Sequence, residues 1–294
     1  MTFLSGYIAI IGPPNVGKST LLNRILGKKL AIVSPRPQTT RNRILGILNG
    51  ADFQMVFMDT PGIHNTRTAL HRSMVASALA ALNEVDIVTV MVQMDQEKHM
   101  ELDPILNNLK GTRKPCLLLI NKIDKGPKER LLPMIRGFQE RFPFEAVLPI
   151  SALKGEGVGL LVDELKSRLE PGPRFFPEDM ETDQSEAFLI SEIIREKIYY
   201  HLKQELPYSS AVTVEKIDED IRKGLLSISA RIHVETVSQK GIFIGKGGRM
   251  IRAIGRSARM DLERVFGVHV YLDLMVRVEK NWSRDTRAMR RLGY

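Results

Sequence analysis

The residues best suited to chemistry form one run, Gly12-Pro13-Pro14-Asn15-Val16-Gly17-Lys18-Ser19, with the spacing G-x-x-x-x-G-K-[ST]. That spacing cradles a polyphosphate. The glycines let the backbone curl until successive N–H groups point inward, and the helix that follows adds its positive dipole end. Lys18 is suited to bridge the β and γ phosphates, Ser19 to ligate Mg²⁺, and Thr20 to extend the contact into the helix. A glycine-bearing turn is the plain alternative, and the complete motif argues against it.

Three further signals follow in order. Thr39 and Thr40 stand about twenty residues past Lys18 in the polar segment 31–43, which reads as a mobile loop. A threonine hydroxyl there can sense both Mg²⁺ and the γ-phosphate; Thr40 is favoured over Thr39. Asp59-Thr60-Pro61-Gly62 ends an apolar run, placing a carboxylate to support the metal and a glycine whose N–H can approach the γ-phosphate. Lys18, Thr40 and Gly62 are therefore the catalytic candidates. Asn121-Lys122-Ile123-Asp124 suits a guanine reader: the carboxylate accepts from N1–H and N2–H₂, which adenine cannot offer together. Asn121 would brace that loop and the Lys122 stem cover the base. Ser151-Ala152-Leu153-Lys154 completes the pocket, with the Ala152 N–H expected at guanine O6.

These groups need strands that end beside one another. Apolar runs at 7–11, 54–58, 86–92, 115–120 and 146–150 read as buried strands, and Leu21, Leu22, Ile25 and Leu26 mark one face of the helix after the phosphate loop. A helical stretch lies around 102–109. The expected architecture is α/β, a mostly parallel sheet over residues 1–170.

The chain of 294 residues suffices for two ordinary domains, and 43% hydrophobic with 26% charged residues is ordinary globular composition. No apolar run reaches the roughly 18–20 residues of a membrane span. The first strand begins within a few residues without a signal-peptide pattern, so the cytoplasm is the expected compartment. The single cysteine, Cys116, sits in an apolar run and reads as a core residue rather than a nucleophile. Net charge is +9, and residues 236–294 alone hold 13 basic and 5 acidic side chains. A polyanion is implied, either nucleic acid or an anionic membrane surface.

Pro171, Pro173 and Pro177 with Phe175, Phe176 and the acidic 178–183 read as an interdomain linker over 171–185. Beyond it, over 186–280, the pattern is α-β-β-α-α-β: a helix to about Leu206, strands at 212–217 and 225–234, two helices, and a strand at 268–278. Ile244-Gly245-Lys246-Gly247-Gly248 between the two helices matches the G-x-x-G loop of a type II KH domain, where glycines let a nucleic-acid backbone pass closely. Arg249, Arg252, Arg256 and Arg259 form a basic stripe on the next helix. Ile251, Ile254, Ala258, Leu262 and Val265 form its apolar face. A solvated face is the bland reading of the arginines; the adjoining glycine loop favours phosphate contact. The basic tail, 281–294, carries Trp282, more suited to capping the domain than to stacking on a base.

Ser34-Pro35-Arg36-Pro37-Gln38-Thr39-Thr40-Arg41 and Gly12-Pro13-Pro14-Asn15 resemble the Era family of TRAFAC-class GTPases, and the likeness extends over the whole chain. The resemblance implies a GTP-hydrolysing switch whose nucleotide state gates binding of small-subunit (16S) ribosomal RNA near its 3′ end during 30S maturation. It also implies a monomer with peripheral inner-membrane association, and a K⁺ held by Asn15. Ile63 stands where related enzymes carry a catalytic glutamine, implying slow intrinsic hydrolysis, and His64 is expected merely to be solvated. Two rival readings remain at this level: an RNA chaperone in which turnover is secondary, and a peripheral membrane GTPase whose basic end meets lipid.

Overall fold

The computed structural model describes residues 2–34, 36, 39–62, 82–94 and 102–293. They fall into two compact units: one takes in the described residues of 2–31, 40–62 and 82–183, the other those of 32–39 and 184–293.

The first unit is built on β1 (Leu4–Ile11), β2 (Ile44–Asn49), β3 (Phe53–Asp59), β4 (Ile87–Gln93), β5 (Cys116–Asn121), β6 (Ala146–Pro149) and the short β7 (Glu170–Pro171). The order is β2-β3-β1-β4-β5-β6, with β7 on β1. Pairing is parallel from β3 through β6, and antiparallel at β2 and β7. The central strands are buried along their length, as strands covered on both faces must be. Helices α1 (Lys18–Leu26), α2 (Asp103–Leu109), α3 (Leu131–Arg141) and α4 (Val158–Lys166) supply the described covering layers. In such a sheet, ligands bind beyond the carboxyl ends of the strands. The phosphate loop follows β1, Asp59 ends β3, Asn121 ends β5, and Ser151 follows β6, so all four motifs share that edge.

The proline-rich segment is tied down as far as Thr182. Gln54 accepts from the N–H groups of Phe175 and Phe176 and donates to the Phe176 carbonyl. Farther on, the Ile47 N–H donates to Glu181 O, and Thr182 Oγ1 donates to Leu45 O. These bonds satisfy part of the β2 edge, which would otherwise present unpaired backbone.

The second unit places α5 (Glu186–His201), α6 (Val237–Ile244) and α7 (Arg249–Phe266) with a sheet of β8 (Ser210–Asp220), β9 (Leu225–Val234) and β10 (His269–Val278). The strand order is β10-β9-β8, parallel between β10 and β9 and antiparallel between β8 and β9. The expected α-β-β-α-α-β sequence is present. Ser185 caps α5, and Thr236 with Gln239 forms a reciprocal capping box on α6. Ile193, Ile198, Ile228, Ile232, Phe243, Ile254 and Leu262 lie in the core of this unit. A short α8 (Thr286–Arg291) ends the described chain, and Trp282 is fully buried with its indole N–H donating to Ser209 O, a capping role. Val265, expected on the apolar face of α7, is exposed. It lies in the helix's last turn, two residues before the Gly267 cap.

Candidate functional site

The phosphate loop turns on two glycines. Gly17 has φ 105°, and a side chain there would press on Asn121 Nδ2; one on Gly12 would stand 2.3 Å from the Met91 carbonyl oxygen. Pro13 and Val16 are buried, Pro14 is half-buried, and Asn15 is exposed with φ 62°. Lys18 is buried and its ammonium donates to the carbonyls of Gly12 (3.1 Å) and Pro13 (2.9 Å). Burial pulls its pKa down to about 8, and the nearby Asp59 opposes that shift.

Ser19, Thr40 and Asp59 come together. The Ser19 hydroxyl donates to Asp59 Oδ2 at 2.5 Å and lies 2.9 Å from Thr40 Oγ1. The other oxygen, Asp59 Oδ1, is buried with no hydrogen-bond partner. Burial pushes the Asp59 carboxyl up to about 6, against the lowering effects of Lys18 and Ser19. Two hydroxyls beside an unsatisfied carboxylate oxygen form a hard-oxygen set that fits Mg²⁺. Thr39 spends its hydroxyl elsewhere, beside Ser34 Oγ at 2.6 Å and donating to Arg36 O at 2.9 Å. The described residues of the segment 31–43 form a loop, as expected, and Ala31, Ile32, Thr39, Thr40 and Arg41 are buried. Thr60 Oγ1 donates to Ile10 O, fixing the end of β3. Pro61 follows, and Gly62 abuts the phosphate loop: a side chain there would stand 2.8 Å from Pro14 N. Ile63 and His64 lie outside the described residues, as do Pro35, Pro37 and Gln38.

At the guanine-reading end, Asn121 Nδ2 donates to Val16 O (2.7 Å) and its Oδ1 accepts from the Ala152 N–H (2.9 Å). The N–H expected at guanine O6 is thus engaged within the protein, because the buried Asn121 amide needs a partner for its oxygen as well as for its nitrogen. Ser151 Oγ donates to Asp124 Oδ1 at 2.6 Å, orienting the carboxylate. Lys122 adopts φ 64°, and Ile123 is buried beneath the loop. Sequence reading missed Arg24, whose guanidinium donates to the carbonyls of Ala152 and Leu153. Its signal, a basic residue in the last turn of α1, is too common to single out.

In the second unit, Gly245, Gly247 and Gly248 all have positive φ, at 69°, 61° and 76°. Ile244 ends α6; Lys246 and Gly247 are exposed, as are Arg249, Arg252, Arg256 and Arg259. Arg252 also donates to the Gly247 carbonyl, bracing the loop. Beside the stripe runs a groove of about 550 Å³ floored by Ile251, Val270, Leu272 and Leu274 and bordered by Arg252 and Arg256. A positive rim over an apolar floor can hold a phosphate backbone and its bases. The β10 contribution, with the exposed Tyr271, was not foreseen, since an alternating strand reads as core.

Residues 7–122 match the family model described as 50S ribosome-binding GTPase, and residues 205–283 match the KH domain model. GTPase Era of Syntrophus aciditrophicus is 51% identical over 99% of this chain and 95% of its own length. GTPase Era of Geobacter metallireducens is 48% identical over 99% and 98%. Among solved structures, a point variant of Aquifex aeolicus Era bound to GDP.AlF₄⁻ superposes with TM-score 0.94 at 40% identity, covering 99% of each chain. Era in complex with MgGDPNP and nucleotides 1506–1542 of 16S ribosomal RNA also gives 0.94, at 39% identity and 99% coverage of each chain.

Proposed function

The chain belongs to the Era family of GTPases, and on that premise we propose that it is a GTP-driven switch that binds 16S ribosomal RNA near its 3′ end and assists 30S maturation. The observation that carries the reading is the Ser19–Thr40–Asp59 cluster: one hydroxyl from the phosphate loop, one from the switch segment, and a carboxylate with an unused oxygen.

Ser19 and Thr40 hold Mg²⁺, with Asp59 supporting it. The metal neutralises charge on the β and γ oxygens. The phosphate-loop N–H groups and Lys18 bind the polyphosphate, Gly62 presents its N–H to the γ-phosphate, and Asp124 reads guanine. Hydrolysis proceeds by in-line attack of water on the γ-phosphorus, with the chain supplying position and electrostatics. Ile63, apolar, does not orient that water, so turnover is slow until a partner assists. Asn15 would help hold a K⁺, which would supply positive charge at the phosphates, and equal turnover in K⁺ and Na⁺ would remove it from the account. The basic groove of the KH unit holds the RNA strand, and GTP favours that grip. The protein works as a cytoplasmic monomer with peripheral contact to the inner membrane, through charge. No helix among the described residues is long and apolar enough to cross a membrane.

Titration of fluorescent GTP, GDP and ATP, followed by crosslinking to cellular RNA with the bound sequences read, tests the whole reading. Guanine preference and recovery of 16S 3′-end sequence are expected; indifference between GTP and ATP overturns it.

A further inference from the structure

In the turn that follows β6, the backbone N–H groups are spent one by one. The Ala152 N–H donates to Asn121 Oδ1 at 2.9 Å, the Lys154 N–H to Ser151 Oγ at 3.2 Å, and the Gly155 N–H to Ser151 O at 2.7 Å. The Leu153 N–H has no hydrogen-bond partner among the described residues. The Leu153 side chain is 60% exposed, so its packing does not fix the turn.

Arg24, in the last turn of α1, does fix it. Its Nε donates to the Ala152 carbonyl at 3.2 Å and its Nη2 to the Leu153 carbonyl. Its stem lies along Gly155, where an added Cβ would stand 3.7 Å from Arg24 Cδ. The Ala152 carbonyl and the Leu153 N–H are opposite edges of one trans peptide and point in opposite directions. Turning the carbonyl to the guanidinium therefore turns the N–H away from it. The positive charge also polarises that peptide, which strengthens its N–H as a donor. Arginine suits the task because its planar fork spans two successive carbonyls, whereas an ammonium is a single point of attachment. A cavity of about 270 Å³ adjoins the turn, lined by Thr20, Asn23, Arg24, Lys28, Ala152 and Leu153. Its lining joins the phosphate-binding end of α1 to the guanine-reading turn.

We propose that Arg24 is a positioning residue for guanine recognition: by holding the Ala152 and Leu153 carbonyls, it aims the Leu153 N–H at guanine O6. Asp124 then reads N1–H and N2–H₂ while the turn reads O6, so two loops check different atoms of one base. Adenine carries an amino group at that position and sets donor against donor. Arg24 has this role only if the bound base is guanine held by Asp124, as read above.

The full-length protein is titrated with GTP, 6-thio-GTP, ITP and ATP. Sulfur in place of O6 is a poor acceptor; ITP keeps O6 and lacks N2–H₂, so it reports on Asp124. The wild type is expected to bind GTP about tenfold more tightly than 6-thio-GTP, the worth of one hydrogen bond. Arg24→Met keeps the stem and removes both donors. GTP affinity should then fall about tenfold and 6-thio-GTP affinity less than about twofold, with the GTP/ITP ratio unchanged. Arg24→Lys, able to hold one carbonyl, should recover part of the GTP/6-thio-GTP ratio. Equal loss of GTP and 6-thio-GTP in the folded Met variant overturns the positioning role, because a merely structural brace weakens both. Amide NMR of the wild type needs no variant: between the GDP and 6-thio-GDP forms, the Leu153 N–H resonance should shift more than that of Ala152. The reverse pattern assigns O6 to Ala152 and overturns the proposal. A wild type indifferent between GTP and ATP overturns the guanine reading itself, whatever the variants show.

Discussion

Asn121 Nδ2 donates to the Val16 carbonyl oxygen at 2.7 Å, so a single buried side chain joins the guanine-reading loop to the phosphate loop. Its other end holds the Ala152 N–H. Asn121→Ala strands both partners, and an unpaired buried group costs about 1–3 kcal/mol. GTP and GDP affinities should fall together, by roughly 30-fold for about 2 kcal/mol, because the lesion sits at the base and not at the γ-phosphate. Fluorescent-nucleotide titration checks this, and a selective loss of GTP binding would contradict it.

Asp124 is oriented by Ser151 Oγ at 2.6 Å, and each of its carboxylate oxygens keeps a lone pair for the base. Guanine offers two donors, N1–H and N2–H₂; xanthine offers one donor and one acceptor. Asp124→Asn replaces two acceptors with an acceptor and a donor. GTP affinity should fall by about 100-fold or more, and xanthosine triphosphate should bind better than GTP. Competition titration of the two nucleotides reads the reversal directly.

The nucleotide motifs are legible in sequence because each is local: glycines for a turn, then the residues that touch phosphate, metal or base. Strands buried on both faces, such as Cys116–Asn121, are legible for the same reason. The strand Ile44–Asn49 is not, since it follows a polar segment and carries Gly46, over which the terminal methyls of Leu22 and Leu26 pack, 2.5–2.6 Å from where a Cβ would stand. Leu131–Arg141 was missed because Pro133 and Gly137 interrupt it and only Phe138 is fully buried, leaving little periodic signal. Arg24 was illegible for another reason: its backbone partner lies 128 residues away.

His233 is buried, sharing Nε2 with Thr213 and Nδ1 with Glu279, whose carboxylate also meets Arg291. Burial, with Arg231 and Arg277 adding to it, pulls its pKa from 6.5 to about 4. A folded-state value below the unfolded one means the unfolded chain binds the extra proton. Stability is therefore full above about 6.5 and falls as pH drops towards 4, by roughly 2–3 kcal/mol. Trp282, the only tryptophan, lies buried in the same unit and reports its unfolding. Urea midpoints by Trp282 fluorescence should decline across that window, and His233→Gln should flatten the decline.

Gly247 separates charge from shape at the nucleic-acid face. Its φ of 61° is left-handed, a region aspartate tolerates better than most residues, and nothing lies within 4 Å of an added Cβ. Gly247→Asp should therefore fold, bind GTP normally, and lose about tenfold or more in RNA affinity by setting a carboxylate against phosphate. Arg256→Ala should weaken RNA binding more gently and reduce the slope of log affinity against log salt by about 0.7, one released counterion on a single strand. Measured beside RNA binding, flotation with anionic liposomes separates the two polyanions the basic end could meet. RNA binding lost with liposome binding kept shows that lipid contact does not use the glycine loop, whereas joint loss places both on that surface. An Asp variant that holds RNA as tightly as the wild type would remove the loop from the interface, because a phosphate strand passing within van der Waals distance cannot ignore a new negative charge.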